Sequence, residues 1–349
     1  GEIRVETNED AETDALALFG AGFVEGALTA ERLYQSSLNV RCQLNCTGAV
    51  PDNLRNFVAE NEAWMSEQIL ANPDCPRWQM IDAIYAQYRG LMAGYRSSNF
   101  AQADPSQAMA DDMSFWVINS LGDMFEILPH LNPSMRPDYD SMSVDAVKED
   151  LLKKGHCSAL IKVADDLSEM WAGHSSWFIY SNMLRIYKHY SFPLRNAALA
   201  AKEVSFSSYP GTLSSLDDFY TMDSGLNMIQ TTNGVIDQSL YDQITSQSLL
   251  AWFRVRAANM LAQDGPGWAA VIDFHNSGTY NNQYMIVDHA HFVPGQALPD
   301  NTLWVIEQSI GLVASQDFTE VLRRGYFASY NVPAIKDVYE LQGYADLDA

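Results

Sequence analysis

Lys154-Gly155-His156-Cys157-Ser158-Ala159-Leu160-Ile161-Lys162 stands near the middle of the chain, and the rest is read from it. A polar approach reaches a glycine that permits a strained turn, and a cysteine then opens a short apolar run. A lone cysteine before Ser-Ala-Leu-Ile is more often a buried small hydrophobe than a nucleophile. Its place where a polar linker meets a strand-like segment favours a chemical reading. Cys157 is then a nucleophile whose own α-amine becomes its base once the chain is cut before it. Residues 1–156 form a leader portion in that reading, and residues 157–349 a catalytic portion.

Upstream of the cysteine, residues 129–146 are rich in Pro, Ser and Asp with no period, which predicts a loop or linker. A short charged segment, Val147-Lys148-Glu149-Asp150, joins it to the cysteine. Further upstream, apolar residues at helical spacing predict helices over much of residues 11–40, from Pro51 to Asn72-Pro73, from Pro76 onward, and over 111–128. The Trp and Met residues in them read as helix packing. Downstream, strands are expected at 157–163, 204–209, 218–232, 268–274, 284–287 and 303–308. Helices are expected at 180–190 and, long and amphipathic, at 238–262. Helices first and then strands separated by helices give an α+β or layered α/β class.

Composition narrows the function. Lys and Arg number 21 against 44 Asp and Glu, a formal net charge of −23 over 349 residues. Such a surface repels phosphate backbones and anionic bilayers, which argues against nucleic-acid binding. No apolar run approaches the roughly 18 residues of a spanning helix, so stable membrane insertion is not expected. Of four cysteines, Cys42, Cys46 and Cys75 cluster in the first quarter, and Asn45-Cys46-Thr47 is the one glycosylation sequon. Together these tilt toward a secretory or lysosomal product with one disulfide, its pairing among the three left open.

Several chemistries lack their signatures: Gly-x-Ser-x-Gly, a histidine followed two places on by lysine, the P-loop, and Gly-x-Gly-x-x-Gly are all missing. Asp288-His289-Ala290-His291 offers alternate ligand types, but two histidines past a strand are usually solvated and no third ligand set is spaced for zinc. No metal or cofactor is expected.

Seven blocks carry a resemblance. They are Gly-His-Cys-Ser-Ala-Leu-Ile-Lys (155–162), His-Ser-Ser-Trp (174–177), Met-Leu-Arg-Ile-Tyr-Lys-His-Tyr (183–190) and Phe-Ser-Ser-Tyr-Pro-Gly (206–211), followed by Asp-Asp-Phe-Tyr (217–220), Asn-Ser-Gly-Thr-Tyr-Asn-Asn-Gln (276–283) and Ser-Tyr-Asn-Val-Pro (329–333). In this order and spacing they resemble the phospholipase B-like family over essentially the whole chain. The resemblance implies an N-terminal-nucleophile hydrolase with a four-layer αββα sandwich. It also implies a glycosylated lysosomal or secreted precursor, cut between His156 and Cys157, whose two portions stay associated. Family members generally run past this C-terminus, which implies that the protein is processed again, that another fragment is missing, or that this is a shorter form. By motif, Cys157 is the nucleophile, and His174, Trp177, Thr232 and Asn331 surround it, Trp177 on the substrate side.

Physical roles follow for each. A free α-amine, with an ordinary pKa of about 7.7–8.0, takes the thiol proton, and the thiolate forms an acyl-enzyme that water cleaves. Asn331 offers an amide N–H to the oxyanion. His174 bonds near the amine or leaving group, with Thr232 orienting it. Each residue also has a structural reading: a satisfied histidine, a strand threonine, a turn asparagine. The expected substrate is a small lipid or N-acyl molecule, cut at an ester or amide. The competing function is a lysosomal lipid-binding or storage protein that keeps the fold and the cut but has little turnover.

Overall fold

All seven residues of the strand Asn282–Asp288 are buried, so both of its faces are covered. The computed structural model describes residues 1–43, 50–109, 111–155, 157–178 and 180–347. Asn45, Cys46 and His156 lie outside these, as does the side chain of Cys42. Cys75 carries a free thiol.

Eleven strands are described: β1 (Glu2–Glu6), β2 (Cys157–Val163), β3 (Met170–Ser176), β4 (Ile186–Ser191), β5 (Glu203–Ser208), β6 (Phe219–Met222), β7 (Leu226–Thr232), β8 (Asn282–Asp288), β9 (Leu303–Ser309), β10 (Leu312–Asp317) and β11 (Tyr326–Ser329). The α-helices before Cys157 are α1 (Asp14–Leu28), α2 (Ala30–Gln43), α3 (Asp52–Ala71), α4 (Pro76–Ser97), α5 (Asn99–Ala103), α6 (Met113–Asn119), α7 (Met124–Leu131) and α8 (Val144–Lys154). After it come α9 (Ala251–Leu261), α10 (Gly265–Ile272), α11 (Thr319–Leu322) and α12 (Lys336–Leu341).

Eight strands form one sheet in the order β1-β4-β5-β6-β7-β8-β9-β10, and a second sheet runs β11-β2-β3. Only the β1–β4 pair among these is parallel. Alternation along each strand sorts the two faces of the large sheet. Leu226, Met228, Tyr284, Ile286 and Ile306 pack with the helices. Ile229, Met285, Val287 and Val305 pack against Ala159, Ile161 and Val163 of β2 and Phe327 of β11. The described residues therefore make three layers: helices, large sheet, small sheet. On the outer face of the small sheet Leu160 and Trp171 are exposed.

The helix layer is anchored by a close approach. A Cβ on Gly22 or Gly26 of α1 would lie 2.0 or 2.1 Å from a carbonyl oxygen of α4, and one on Gly90 or Gly94 of α4 meets α1 as closely. These glycines let the two backbones touch. β1 and α1–α7 precede Cys157 yet share the sheet and the main core with the strands that follow it.

Several expected elements differ, each for a physical reason. Residues 180–190 are not a helix: a 3-10 turn at Tyr180–Asn182 leads into β4. Lys188 points inward, fully buried, onto Glu25. Residues 268–274 are mainly α10 rather than a strand. Asp264 caps it by accepting from Gly267 N (2.7 Å), and a proline sits in its first turn. The 238–262 helix divides into a 3-10 turn (Gln238–Gln243) and the wholly buried α9. Between them Asn61 Nδ2 donates to the carbonyls of Ser246 and Ser248, both at 2.7 Å. The expected strand 218–232 is the β6–β7 hairpin, turned at Gly225 with φ +89°. The helix over 111–128 is two, α6 and α7. The linker region holds α8, capped by the Ser143 hydroxyl, so a helix runs almost to the cysteine.

Candidate active site

β2 alternates buried and more exposed residues from its first position, which turns the Cys157 side chain inward between the sheets. In the β2–β3 register Cys157 opposes Ser176 and Ala159 opposes His174. Cys157 and His174 are thus diagonal neighbours on one face. Asp218 reaches the same point from the turn entering β6, its backbone at φ +61°, a conformation aspartate tolerates better than most residues. The Cys157 thiol donates to Asp218 Oδ2 at 3.7 Å. One ligand-type atom from each of Cys157, His174 and Asp218 lies within 4.8 Å of the others.

Asp218 is held from three sides. Tyr280 Oη donates to its carboxylate, 2.8 Å from each oxygen, and Gln230 Nε2 donates to Oδ1 at 2.7 Å. Tyr280 itself sits at φ +53°, which is strained for a bulky side chain. Its N–H donates to Glu126 Oε2 at 2.7 Å, and a Cβ on Gly122 would come within 2.6 Å of its ring. The α6–α7 junction thereby seats the tyrosine that seats the aspartate. Next door, Asp217 accepts from Ser207 Oγ and from Tyr209 Oη (2.6 Å), and it pairs with Arg185 at 3.1 Å.

Protonation follows from these surroundings. Burial, and then the Asp218 charge, push the Cys157 thiol far up, while the backbone N–H of Trp177 opposes them by donating to the sulfur. Burial also raises Asp218 well above the usual carboxylate range, with Asp217 adding to it and the Tyr280 hydroxyl opposing it. His174 is lowered by burial. Its Nε2 lies 2.8 Å from the Gln230 carbonyl, an acceptor only, so the proton sits on Nε2 and the lone pair on Nδ1. Burial thus disfavours the charged form of all three groups.

Beside it opens a cavity of about 450 Å³. Cys157 and Asn331 line it, with Leu151 and Leu152 of α8, Trp177, Val332 and Tyr344 supplying apolar wall. Asn331 stands at φ +67°, and its Nδ2 donates to the Thr232 carbonyl at 2.7 Å, leaving its second amide hydrogen unused by that bond. The following loop is held by Glu307, which accepts from Ala334 N (2.6 Å) and Ile335 N (3.0 Å).

The residues expected from sequence distribute as follows. Cys157, Trp177 and Asn331 line one cavity, while His174 joins Cys157 in the cluster behind it. Thr232 contributes its carbonyl; its hydroxyl is buried and bonds to none of the described residues. The Gln230 carbonyl is what orients His174. Asp218, Gln230 and Tyr280 were not singled out. Their signal was two adjacent acids entering a strand-like run and a tyrosine in a turn block that reads as scaffold.

A family model described as Phospholipase B matches residues 1–348. The chain is 39% identical over 346 residues to Phospholipase B-like protein B of Dictyostelium discoideum, covering 99% of this chain and 59% of that protein. It is 40% identical over 347 residues to Phospholipase-B 81 of Drysdalia coronoides, covering 99% and 62%. With Phospholipase B-like 1 of Homo sapiens it shares 36% identity over 343 residues, covering 98% and 60%. It spans about three-fifths of the length of these relatives.

Proposed function

Because this chain belongs to the phospholipase B family, we propose that it is the nucleophile-bearing part of an acyl hydrolase acting on a fatty-acyl ester or amide. The observation that carries this reading is Cys157 on the wall of a largely apolar cavity, its thiol bonded to Asp218. An acyl chain lies in the cavity against Leu151, Trp177 and Val332, and its carbonyl meets the sulfur.

In the intact chain the nitrogen of Cys157 is a peptide amide and cannot act as a base, and the thiol is strongly disfavoured from ionising. Cleavage between His156 and Cys157 removes the first obstacle. The thiol attacks the His156 carbonyl, the peptide nitrogen leaves as the α-amine carrying the thiol proton, and water then opens the resulting thioester. Residue 156 ends as a carboxylate and residue 157 as a free amine. With external substrate the amine takes the thiol proton, the thiolate adds to the acyl carbonyl, and the oxyanion accepts the second amide hydrogen of Asn331. The leaving alcohol or amine carries the proton away, and water releases the fatty acid. The Trp177 N–H favours the thiolate.

The two portions stay together after the cut, since β1 pairs with β4 and Glu25 of α1 pairs with Lys188 of β4. The open outer face of β11-β2-β3 is where a fourth, helical layer would complete an αββα sandwich. We assign the protein to a lysosomal or secreted setting, in keeping with its acidic surface; no helix of the described residues is long and apolar enough to cross a membrane. The strongly raised thiol also supports a second reading, a lipid-binding protein with little turnover.

One experiment separates the two. Purified protein and its Cys157→Ser variant are incubated with phospholipids and N-acyl amides from acid to neutral pH, and N-termini are sequenced in parallel. The enzyme reading expects a second N-terminus, Cys-Ser-Ala-Leu-Ile, and fatty-acid release lost in the variant. Equal release by both proteins removes it.

A further inference from the structure

Cys157, His174 and Asp218 bring a sulfur, an imidazole nitrogen and a carboxylate oxygen together from β2, β3 and the turn entering β6. This is a donor set that zinc prefers. The geometry suits it as well. Zinc–sulfur and zinc–oxygen bonds of about 2.3 and 2.1 Å at a tetrahedral angle place the two ligand atoms roughly 3.6 Å apart. The Cys157 sulfur and Asp218 oxygen stand 3.7 Å apart.

We propose that Cys157, His174 and Asp218 form a Zn²⁺ site, and that a bound ion holds the thiol out of nucleophilic attack. Four observations support the site. Thiolate and carboxylate together cancel the charge of the ion, so the loaded centre is neutral where Cys157 and Asp218 are each only 1% exposed. The supporting shell already exists: His174 Nε2–H is held by the Gln230 carbonyl, which leaves the lone pair on Nδ1, and Asp218 is oriented by Tyr280 and Gln230. Gln230 also presents a buried side-chain oxygen that bonds to none of the described residues. Finally, Cys157 lines the open cavity, which gives an ion and its displaced water a route. On binding, Zn²⁺ replaces the thiol proton and any proton on Asp218, both of which pass to solvent. Linear spacing hides the site, because its ligands are 17 and 44 residues apart along the chain (157 to 174, 174 to 218).

The inhibitory consequence rests on the proposed role of Cys157 as nucleophile; the site itself does not. After the cut, the free α-amine would add a nitrogen next to the sulfur and close a chelate ring on the same ion.

The test uses the full chain with Zn²⁺ alone in equilibrium dialysis, and Co²⁺ as a spectroscopic stand-in. The expected result is one ion per chain and a thiolate-to-cobalt charge-transfer band. Cys157→Ser abolishes the band, while the near-isosteric Asp218→Asn and the His174→Ala variant weaken binding at least tenfold. Circular dichroism of each variant confirms the fold, so that three separate substitutions bear on the point. Sub-stoichiometric binding, or a band that survives Cys157→Ser, overturns the site. In the turnover assay, Zn²⁺ suppresses fatty-acid release and a chelator restores it. Equal release by wild type and Cys157→Ser would sink the enzyme reading while leaving the cobalt band untouched.

Discussion

Two groups of buried polar side chains among the described residues are built on opposite terms. Around Lys188, the one carboxylate is paired and the cations are held: the Lys188 ammonium lies 2.5 Å from Glu25 Oε1, Tyr190 Oη donates to the other Glu25 oxygen at 2.6 Å, and Arg256 donates to the Leu213 carbonyl and Gln87 Oε1. Around Asp218, acids accumulate instead. Asp123, Glu126, Asp217 and Asp218 surround Tyr280 and Cys157, and burial raises Asp123, Glu126 and Asp218. A cluster whose carboxylate is paired clamps helix to sheet. A cluster short of positive charge keeps its protons poised, at a cost in stability, beside the one cysteine that opens onto the cavity.

The contrast can be broken most decisively at Lys188. Lys188→Met leaves Glu25 buried without its counter-charge and should cost about 3–5 kcal/mol in urea unfolding. Adding Glu25→Leu should return most of that loss. A single-variant cost below about 1 kcal/mol would mean the pair is not the clamp described.

The acidic corner should show the opposite behaviour with pH. Burial raises Glu126 from its ordinary 4.5 to about 8. The folded state then binds this proton more tightly than the unfolded chain does. Its contribution is full below about pH 4.5 and is lost as pH rises through about 8. Glu126→Gln cannot ionise, so its urea midpoint should fall less over that window, a relative gain on the order of a few kcal/mol. Parallel curves for the two proteins would remove Glu126 from the poised group.

Gly122→Ala tests whether the corner depends on the seat of Tyr280. The new methyl meets the tyrosine ring, and overpacking of this kind costs about 1–3 kcal/mol. Fatty-acid release should drop with it, because Tyr280 holds Asp218. Unchanged stability together with unchanged release would uncouple the helices from the cysteine. The smallest effect is expected on the cavity wall. Trp177 is half exposed, so Trp177→Ala should raise KM for an acyl substrate by about tenfold, near 1.4 kcal/mol, and leave kcat close to its starting value. A change confined to kcat would place Trp177 with the chemistry and not with the acyl chain.

Much of the helical part was legible because its signals are local. Pro51, Asn72-Pro73 and Pro76 bound α3 and α4 where they actually run. The strand opened by Cys157 was legible as a short apolar run. The misread segments share one cause: a buried polar residue or a short apolar run is ambiguous until its neighbours are known. Lys188 reads as solvent-facing until Glu25 is placed against it, and Trp268-Ala-Ala-Val-Ile reads as a strand unless Asp264 and Pro266 are weighed as a helix start. Of the site, the cysteine and the cavity residues Trp177 and Asn331 came from motif. Asp218 and Tyr280 did not, since their meaning lies in contacts across 61 and 62 residues of chain.

By itself the sequence determined the mixed α+β class, the acidic charge balance, and the cysteine that opens β2, because composition and short-range periodicity are written in consecutive residues. Only the tertiary structure decided that strands far apart in the chain would gather a thiol, an imidazole and a carboxylate into one dry corner. Such a meeting is set by strand register and sheet-on-sheet packing, and the proton affinity of each group follows from the burial and neighbours that packing imposes.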